Sequence, residues 1–166
     1  MLFRSDEVWD EELSRLGTLC IAGKLSDQVV RDFAHVPGII GLGPRDDLLG
    51  EIARSRAAIV PLWHGGGTRL KCLEAMAVRT PVVTTSKGCE GIDHGGCFLV
   101  ADTAAAFKAA LLTLLRDPVA AARQATAGRA LFDRRYSLPA NAARLEQAID
   151  AARRVSARRQ IGRAHV

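Results

Sequence analysis

The chain has 166 residues, of which 48% are apolar, 25% charged and 5% aromatic, and its net charge is +5. The length suits one domain with a substantial core, and the composition excludes both a disordered chain and a membrane span of about 20 apolar residues. Residues 151–166 hold five arginines and no acid, which leaves 18 basic and 18 acidic residues elsewhere and argues against a nucleic-acid partner.

Apolar strand-like runs alternate with helical patterns along the chain, which predicts an α/β fold with a parallel sheet. The predicted elements are a helix at 5–16 capped by Ser5, a buried strand at 18–22, a helix at 26–35, a strand at 38–42, a helix at 46–55, a strand at 57–62, a helix at 68–78, and strands at 81–85 and 97–101. From residue 103 the pattern is helical, with breaks at Asp117-Pro118 and near residues 137–139. We therefore predict a Rossmann-like parallel sheet with flanking helices and a helical C-terminal extension.

Cysteine usage and the chain termini indicate where the protein works. The four cysteines form no CxxC pair, which favours reduced thiols over a metal site. Because the start of the chain does not resemble a secretory leader, we expect a cytoplasmic protein. Residues 151–160 are predicted to form a basic helix end. Residues 161–166 resemble the translation of a sequencing adapter, which indicates a truncated metagenomic fragment.

The segment 61–83 contains the most informative pattern, a strand end followed by three glycines, a helix and another buried strand. The three glycines are Gly65, Gly66 and Gly67. Without Cβ atoms, the backbone there can approach a ligand closely. The segment therefore predicts a turn whose backbone amides face a bound molecule.

Two cations follow this turn at the start of the predicted helix, which Thr68 is expected to cap. Arg69 and Lys71 stand where the helix end is already electropositive, so each is unfavourable by roughly 0.3–1 kcal/mol unless an anion docks. Glycines, free amides and two misplaced cations together predict an anion site, most simply a phosphate site.

Three loops are expected at the carboxyl ends of the strands, where parallel α/β folds collect ligands. They lie at 41–46, 64–68 and 84–91. Neither familiar phosphate motif fits, because no GK[ST] is present and Leu70 takes the last glycine position of GxGxxG. The sequence thus indicates a glycine-rich anion site of another kind.

A longer motif surrounds the glycine turn: Pro-x-x-x-Gly-x-Gly-Thr-Arg-x-Lys-x-x-Glu-Ala-Met-Ala, then Thr-Pro-Val-Val-Thr-Thr and Gly-Cys-Glu-Gly-Ile. This order resembles the donor-binding half of retaining glycosyltransferases of the large family 4 class. Their GT-B architecture has two Rossmann-like domains facing across a cleft. The resemblance covers about residues 17–150, so residues 1–150 are interpreted as a partial C-terminal domain of GT-B type that lacks its first strand.

The resemblance implies a nucleotide-diphospho-sugar donor bound without a metal or another cofactor. It places the glycine turn and the amides of Thr68 and Arg69 at the diphosphate, with Lys71 adding charge there. It places Glu74 at the ribose hydroxyls, where a carboxylate can accept two hydrogen bonds. The remaining implied contacts are Glu90 and Gly91 beside the sugar, and Gly43 and Arg45 near the base.

Two departures from the family pattern limit this interpretation. Gly66 stands where many relatives carry a second glutamate, and the N-terminal acceptor domain is not encoded here. We therefore name no catalytic residue and expect the fragment itself to be inactive. The full-length protein could associate peripherally with a membrane, depending on its acceptor.

Simpler interpretations stay open for single residues. Lys71 and Glu74 are three apart on a helix and could form only a surface ion pair of about 0.3 kcal/mol. His64 could be a structural loop residue, and Trp63 is expected to pack beside the turn. Asp93-His94 could be a plain turn before two glycines, and Asp46-Asp47 could simply open a helix.

Two other functions also stay open. One is a sugar-nucleotide epimerase of similar architecture, although no convincing acid or histidine pair faces the expected sugar position. The other is a non-catalytic α/β module that binds a nucleotide or a protein partner and uses its arginine-rich helix for docking.

Overall fold

The computed structural model describes residues 8–24 and 26–163, with the backbone alone for residues 155–163. Strands alternate with helices and are followed by a helical C-terminal part, as the sequence predicts. The elements are α1 (Glu11–Ser14), β1 (Leu19–Ala22), α2 (Ser26–Asp32), β2 (Ile39–Gly43), α3 (Leu48–Arg54), β3 (Ala58–Val60), α4 (Leu70–Ala77), β4 (Val82–Thr84), β5 (Phe98–Val100), α5 (Ala104–Arg116), α6 (Pro118–Arg135) and α7 (Leu138–Arg163).

All strand pairs among these elements are parallel, which confirms the predicted α/β class. β1 pairs with β2 in one sheet, and β3, β4 and β5 form a second sheet in that order. Val60, Thr84 and Val100 stand in register across the second sheet. The chain therefore leaves β3, β4 and β5 at one edge, and the loops that follow these strands are neighbours.

Side chains alternate between the two faces of the three-stranded sheet and build a core on each. Val83 packs with Phe107 of α5 in one cluster, which Leu19 and Ile39 of the other sheet also contact. The opposite face packs against α4 and α6, and its cluster holds Val60, Val82, Phe98, Cys72, Met76 and Leu131. Helices thus cover both faces, and α4 is held against the sheet beside the strand ends.

The predicted continuous helix at 5–16 is wrong in part. α1 begins afresh at Glu11, because the Asp10 carboxylate accepts hydrogen bonds from the amides of Glu12 and Leu13 at 3.1 and 3.2 Å. The proposed cap Ser5 lies outside the described residues. Asp10 is of a residue type that commonly caps helices.

Asp10 and Glu12 also fasten α1 to α5. The Lys108 ammonium lies 2.6 Å from Asp10 and 2.8 Å from Glu12, and Arg116 lies 2.7 Å from Glu12. The hydrogen bond from Lys108 lowers the pKa of both carboxyl groups, so both stay ionised at neutral pH. These ion pairs therefore hold the start of the described chain against α5.

Two further predictions have different outcomes. The strand at 18–22 was predicted as buried, but the side chains of β1 are half-buried or exposed, so that prediction is wrong. The helix break at Asp117-Pro118 is confirmed, since the Asp117 carboxylate caps α6 through the amides of Val119 and Ala120. After this break, α6 and α7 complete the predicted C-terminal helical extension.

In the part of the chain that the structure describes, no helix combines the length and apolar character needed to cross a bilayer.

Candidate functional site

The glycine turn lies directly after β3, at the edge where the strands of the second sheet end. Gly65 and Gly67 have φ values of 124° and 100°, which side-chain-bearing residues rarely adopt. Residues 64–68 are exposed. Within the described residues, the amides of 65–69 donate to no protein acceptor. The turn therefore presents unpaired donors to solvent, as an anion site requires.

The helix after this turn begins later than predicted. Thr68 does not cap it: α4 starts at Leu70, and Arg69 takes the cap position without a side-chain cap. Because Thr68 is exposed and its hydroxyl makes no cap bond, the first amides of α4 also remain without a side-chain acceptor. The wrong cap prediction thus has a consequence for the site, since these amides are available to a ligand.

Arg69 does not extend into solvent. Its side chain is only 6% exposed, and Nη2 donates to the Gly65 carbonyl oxygen at 3.2 Å and to the Glu90 carboxylate at 3.0 Å. Its Nε is buried and has no partner within the described residues. The first of the two misplaced cations therefore already has an anion, which the protein itself supplies from the next loop.

Glu90 also accepts a hydrogen bond from Lys87, whose Nζ lies 2.6 Å from the same oxygen. The hydrogen bond from Lys87, with a smaller contribution from Arg69, lowers the pKa of Glu90 below its usual value. Glu90 is consequently an ionised carboxylate that joins two cations. Lys87 belongs to the loop at 84–91 expected beside the ligand, but no role was predicted for it, although its spacing of three from Glu90 was visible.

Lys71 and Glu74 behave differently from Arg69. Lys71 is exposed and Glu74 half-buried on α4. In the described part of the chain, neither side chain forms an ion pair with the other or with a third group. The surface-pair interpretation is therefore not what this structure shows, and both side chains are available to a ligand.

Hydrogen bonds between the ends of β3 and β4 support the site, a role that the sequence did not reveal. They involve Thr84, Thr85 and Gly88. Thr84 Oγ1 donates to the Val60 carbonyl at 3.1 Å, and the Gly88 amide donates to Thr85 Oγ1 at 2.9 Å. Thr85 Oγ1 itself donates to the Leu62 carbonyl. Two buried hydroxyls thus join the end of β4 to the end of β3 and hold the two loops together.

Comparison with known families agrees with this geometry. Residues 6–117 match the family of glycosyl transferases group 1. The chain belongs to this family. The match includes the glycine turn, α4 and the loop at 85–91, so the site lies inside the family region. No curated protein matches the chain at a significant level.

One departure of this glycosyltransferase from the family pattern is not imposed by the backbone. At Gly66, where the resemblance leads us to expect a glutamate, an added Cβ would meet no atom within 4 Å. Gly66 is also not among the residues with a positive φ. The backbone could accept a side chain here, so the glycine is a property of this chain and not a steric necessity.

The loop after β2 contains the two residues predicted near the base. The Gly43 amide donates to Ser26 Oγ at 2.9 Å, so that donor is already used. Arg45 is exposed and lies 3.9 Å from Glu51. Asp47, by contrast, accepts a bond from the Gly50 amide and caps α3, as the simpler interpretation of the acidic pair expects. A contact of Gly43 or Arg45 with a base stays a prediction.

Asp93 and His94 have structural partners. Asp93 pairs with Arg135 and accepts a bond from the Gly95 amide, and the His94 ring stacks on Phe98 with centroids 5.1 Å apart. These contacts tie the loop to α6 and to β5. Among the described residues, no three histidine, cysteine or acidic side chains come together as a metal site.

The thiols of this glycosyltransferase differ in environment, and Cys72 lies directly beneath the site. Its Sγ is 3.5 Å from the Gly88 carbonyl oxygen, and burial raises the pKa of the thiol to about 11. Of the four free cysteines, Cys20 is exposed, while Cys72, Cys89 and Cys97 are buried. Burial raises the pKa of each of the four thiols, so accessibility is what sets Cys20 apart.

We expect one thiol per chain to react rapidly with an aromatic disulfide reagent at about pH 8, and the other three only after unfolding. The fast reaction should disappear in Cys20→Ser, which identifies the reactive group. Rapid loss of a second thiol in the native protein would contradict the buried placement of Cys72, Cys89 or Cys97.

Proposed function

We propose that this chain binds the nucleotide-diphospho-sugar donor of a retaining, cytoplasmic glycosyltransferase of GT-B type. The observation that carries the proposal is the glycine turn, whose amides are unpaired and whose following helix offers an unpaired Lys71 and Glu74. Membership of the group 1 family supports the same function.

The diphosphate is proposed to lie against the amides of residues 65–69, where fixed donors act in place of water. Lys71 adds positive charge beside it. Glu74, one turn further along α4, accepts hydrogen bonds from the ribose hydroxyls. Charge-assisted bonds of this kind are roughly twice as strong as neutral ones.

The sugar is proposed to lie near Glu90 and Gly91, and the base near Gly43 and Arg45. In a retaining transfer, negative charge grows on the leaving diphosphate, and preorganised amides and cations stabilise it without a metal. This half supplies no nucleophile or general base. The acceptor, whether lipid-linked at a membrane surface or not, is proposed to bind a separate N-terminal domain, so this chain alone binds donor without transferring sugar.

The test is thermal unfolding of the 166-residue chain with a panel of UDP-, GDP- and ADP-sugars. A donor present at about 100 times its Kd should stabilise the chain by about 2.7 kcal/mol, which raises the melting temperature by about 5–10 °C. Nucleoside monophosphates serve as controls, because they lack the second phosphate. A panel in which no compound raises the melting temperature would contradict the proposal and favour a protein-binding module.

A further inference from the structure

Arg69 is an unusual residue for a phosphate site, because its cation is buried and the carboxylate that pairs with it is not. Its side chain is 6% exposed, whereas that of Glu90 is 57% exposed. A guanidinium taken out of water needs hydrogen bonds to its charged form. Arg69 finds two through Nη2, to the Gly65 carbonyl and to Glu90, and leaves Nε without a partner.

The bond to Gly65 has a direct effect on the glycine turn. The carbonyl of Gly65 and the amide N–H of Gly66 belong to one planar peptide group. Holding the carbonyl oxygen therefore sets the direction in which the Gly66 N–H points. Three successive glycines otherwise have great conformational freedom, and Gly65 and Gly67 both adopt positive φ.

We propose that Arg69 is a positioning residue that aims the Gly66 amide by holding the Gly65 carbonyl, while Glu90 holds Arg69. This inference rests on the proposed donor site and specifies how its turn is preorganised. Lys87 completes the arrangement, because it shares the Glu90 carboxylate and ties it to the loop after β4. The two loops at the ends of β3 and β4 then form one unit.

The role differs from that of a cation in contact with phosphate. Lys71 carries no described partner, so it would act on the ligand directly, whereas Arg69 acts through the backbone. A lysine at position 69 would be a poor replacement, because a compact, strongly hydrated ammonium costs more to bury than the weakly hydrated guanidinium, whose Nη2 donates both bonds.

The test combines amide NMR of the nitrogen-15-labelled chain with calorimetric titration of UDP, GDP and ADP. The variants are Arg69→Gln, Arg69→Lys and Glu90→Gln, with Lys71→Ala as the contrast. The control is Arg123→Ala, because Arg123 is an exposed cation on α6 without a described contact. Without nucleotide, the Arg69 and Glu90 variants should move the amide resonances of residues 65–67 and speed their hydrogen exchange, whereas Lys71→Ala and Arg123→Ala should not.

For the nucleoside diphosphate that binds, we expect at least about tenfold weaker binding in Arg69→Gln and Arg69→Lys, and a smaller loss in Glu90→Gln, which keeps one acceptor. Unchanged glycine amides in these variants would overturn the proposal. Tighter binding in Glu90→Gln would overturn it too, since Glu90 would then compete with phosphate.

The amide measurement needs no ligand, and Glu90→Gln keeps the test available if the Arg69 variants do not fold. Amides that respond in a chain that binds none of the three nucleotides would show the positioning contact but refute the donor site. The two failures are therefore distinguishable.

Discussion

Replacing Gly88 by alanine should lower the free energy of unfolding by about 2–4 kcal/mol. An added Cβ at this position would lie 2.3 Å from Thr84 Oγ1 and 2.6 Å from the Val60 carbonyl oxygen. Both atoms belong to the buried contact between the ends of β3 and β4, so neither can move without breaking the Thr84 hydroxyl bond. The loss combines overpacking with a buried polar group left unpaired.

Urea unfolding followed by circular dichroism measures this loss of free energy. In thermal unfolding, the melting temperature should fall by about 5–15 °C. Gly66→Ala is the matched control, because its Cβ would meet nothing within 4 Å. We expect that variant to stay within about 0.5 kcal/mol of the wild type. A Gly88→Ala protein as stable as Gly66→Ala would show that the loop at 85–91 is not packed against β3 as described.

The order and type of the elements could be predicted because they depend on local patterns. Asp117 beside Pro118, for example, is a helix start that needs no tertiary context. The start of α1 could not be predicted in this way. The Asp10 carboxylate that caps α1 is also held by Lys108, which is distant in sequence. Burial of β1 was also overestimated, because an apolar run does not show how many faces of a strand are covered.

The candidate site also has features that local sequence patterns predict and features that depend on contacts distant in sequence. The glycine turn was visible from sequence, since three adjacent glycines have few other uses. The direction of the Arg69 side chain could not be predicted, because its partner Glu90 is 21 residues away. The need for glycine at position 88 could not be predicted either, because its neighbours Val60 and Thr84 belong to two different strands. Cations at a helix start predicted an anion, and for Arg69 that anion is a carboxylate of the protein. Of the two cations, only Lys71 has no described anionic partner in the protein, as expected for a cation that binds a ligand.

Lys71→Ala and Glu74→Ala should each weaken binding of the nucleotide-sugar donor by about 10- to 100-fold, since hydrogen bonds to charged groups contribute about 1.5–3 kcal/mol. Without ligand, Glu74→Ala should change the free energy of unfolding by no more than about 0.5 kcal/mol, because Glu74 forms no described ion pair. Lys71→Ala should raise it by about 0.3–1 kcal/mol, because an unpaired cation in the first turn of α4 is unfavourable. Calorimetric titration with the donor that gives the largest thermal shift measures the first effect. Arg123→Ala and Glu146→Ala are the charge-matched controls, since both side chains are exposed on helices away from the turn.

The double variant decides between the two interpretations that the spacing of Lys71 and Glu74 leaves open. If the pair served only the helix surface, the stability cycle would show a coupling of about 0.3 kcal/mol, and donor affinity would not change. If the two side chains contact different parts of one donor, stability coupling should be absent. The two losses in binding free energy should then add, provided that diphosphate and ribose are held independently. Because the structure shows both side chains without an ion pair, we expect the second pattern, with Lys71 acting at the diphosphate and Glu74 at the ribose.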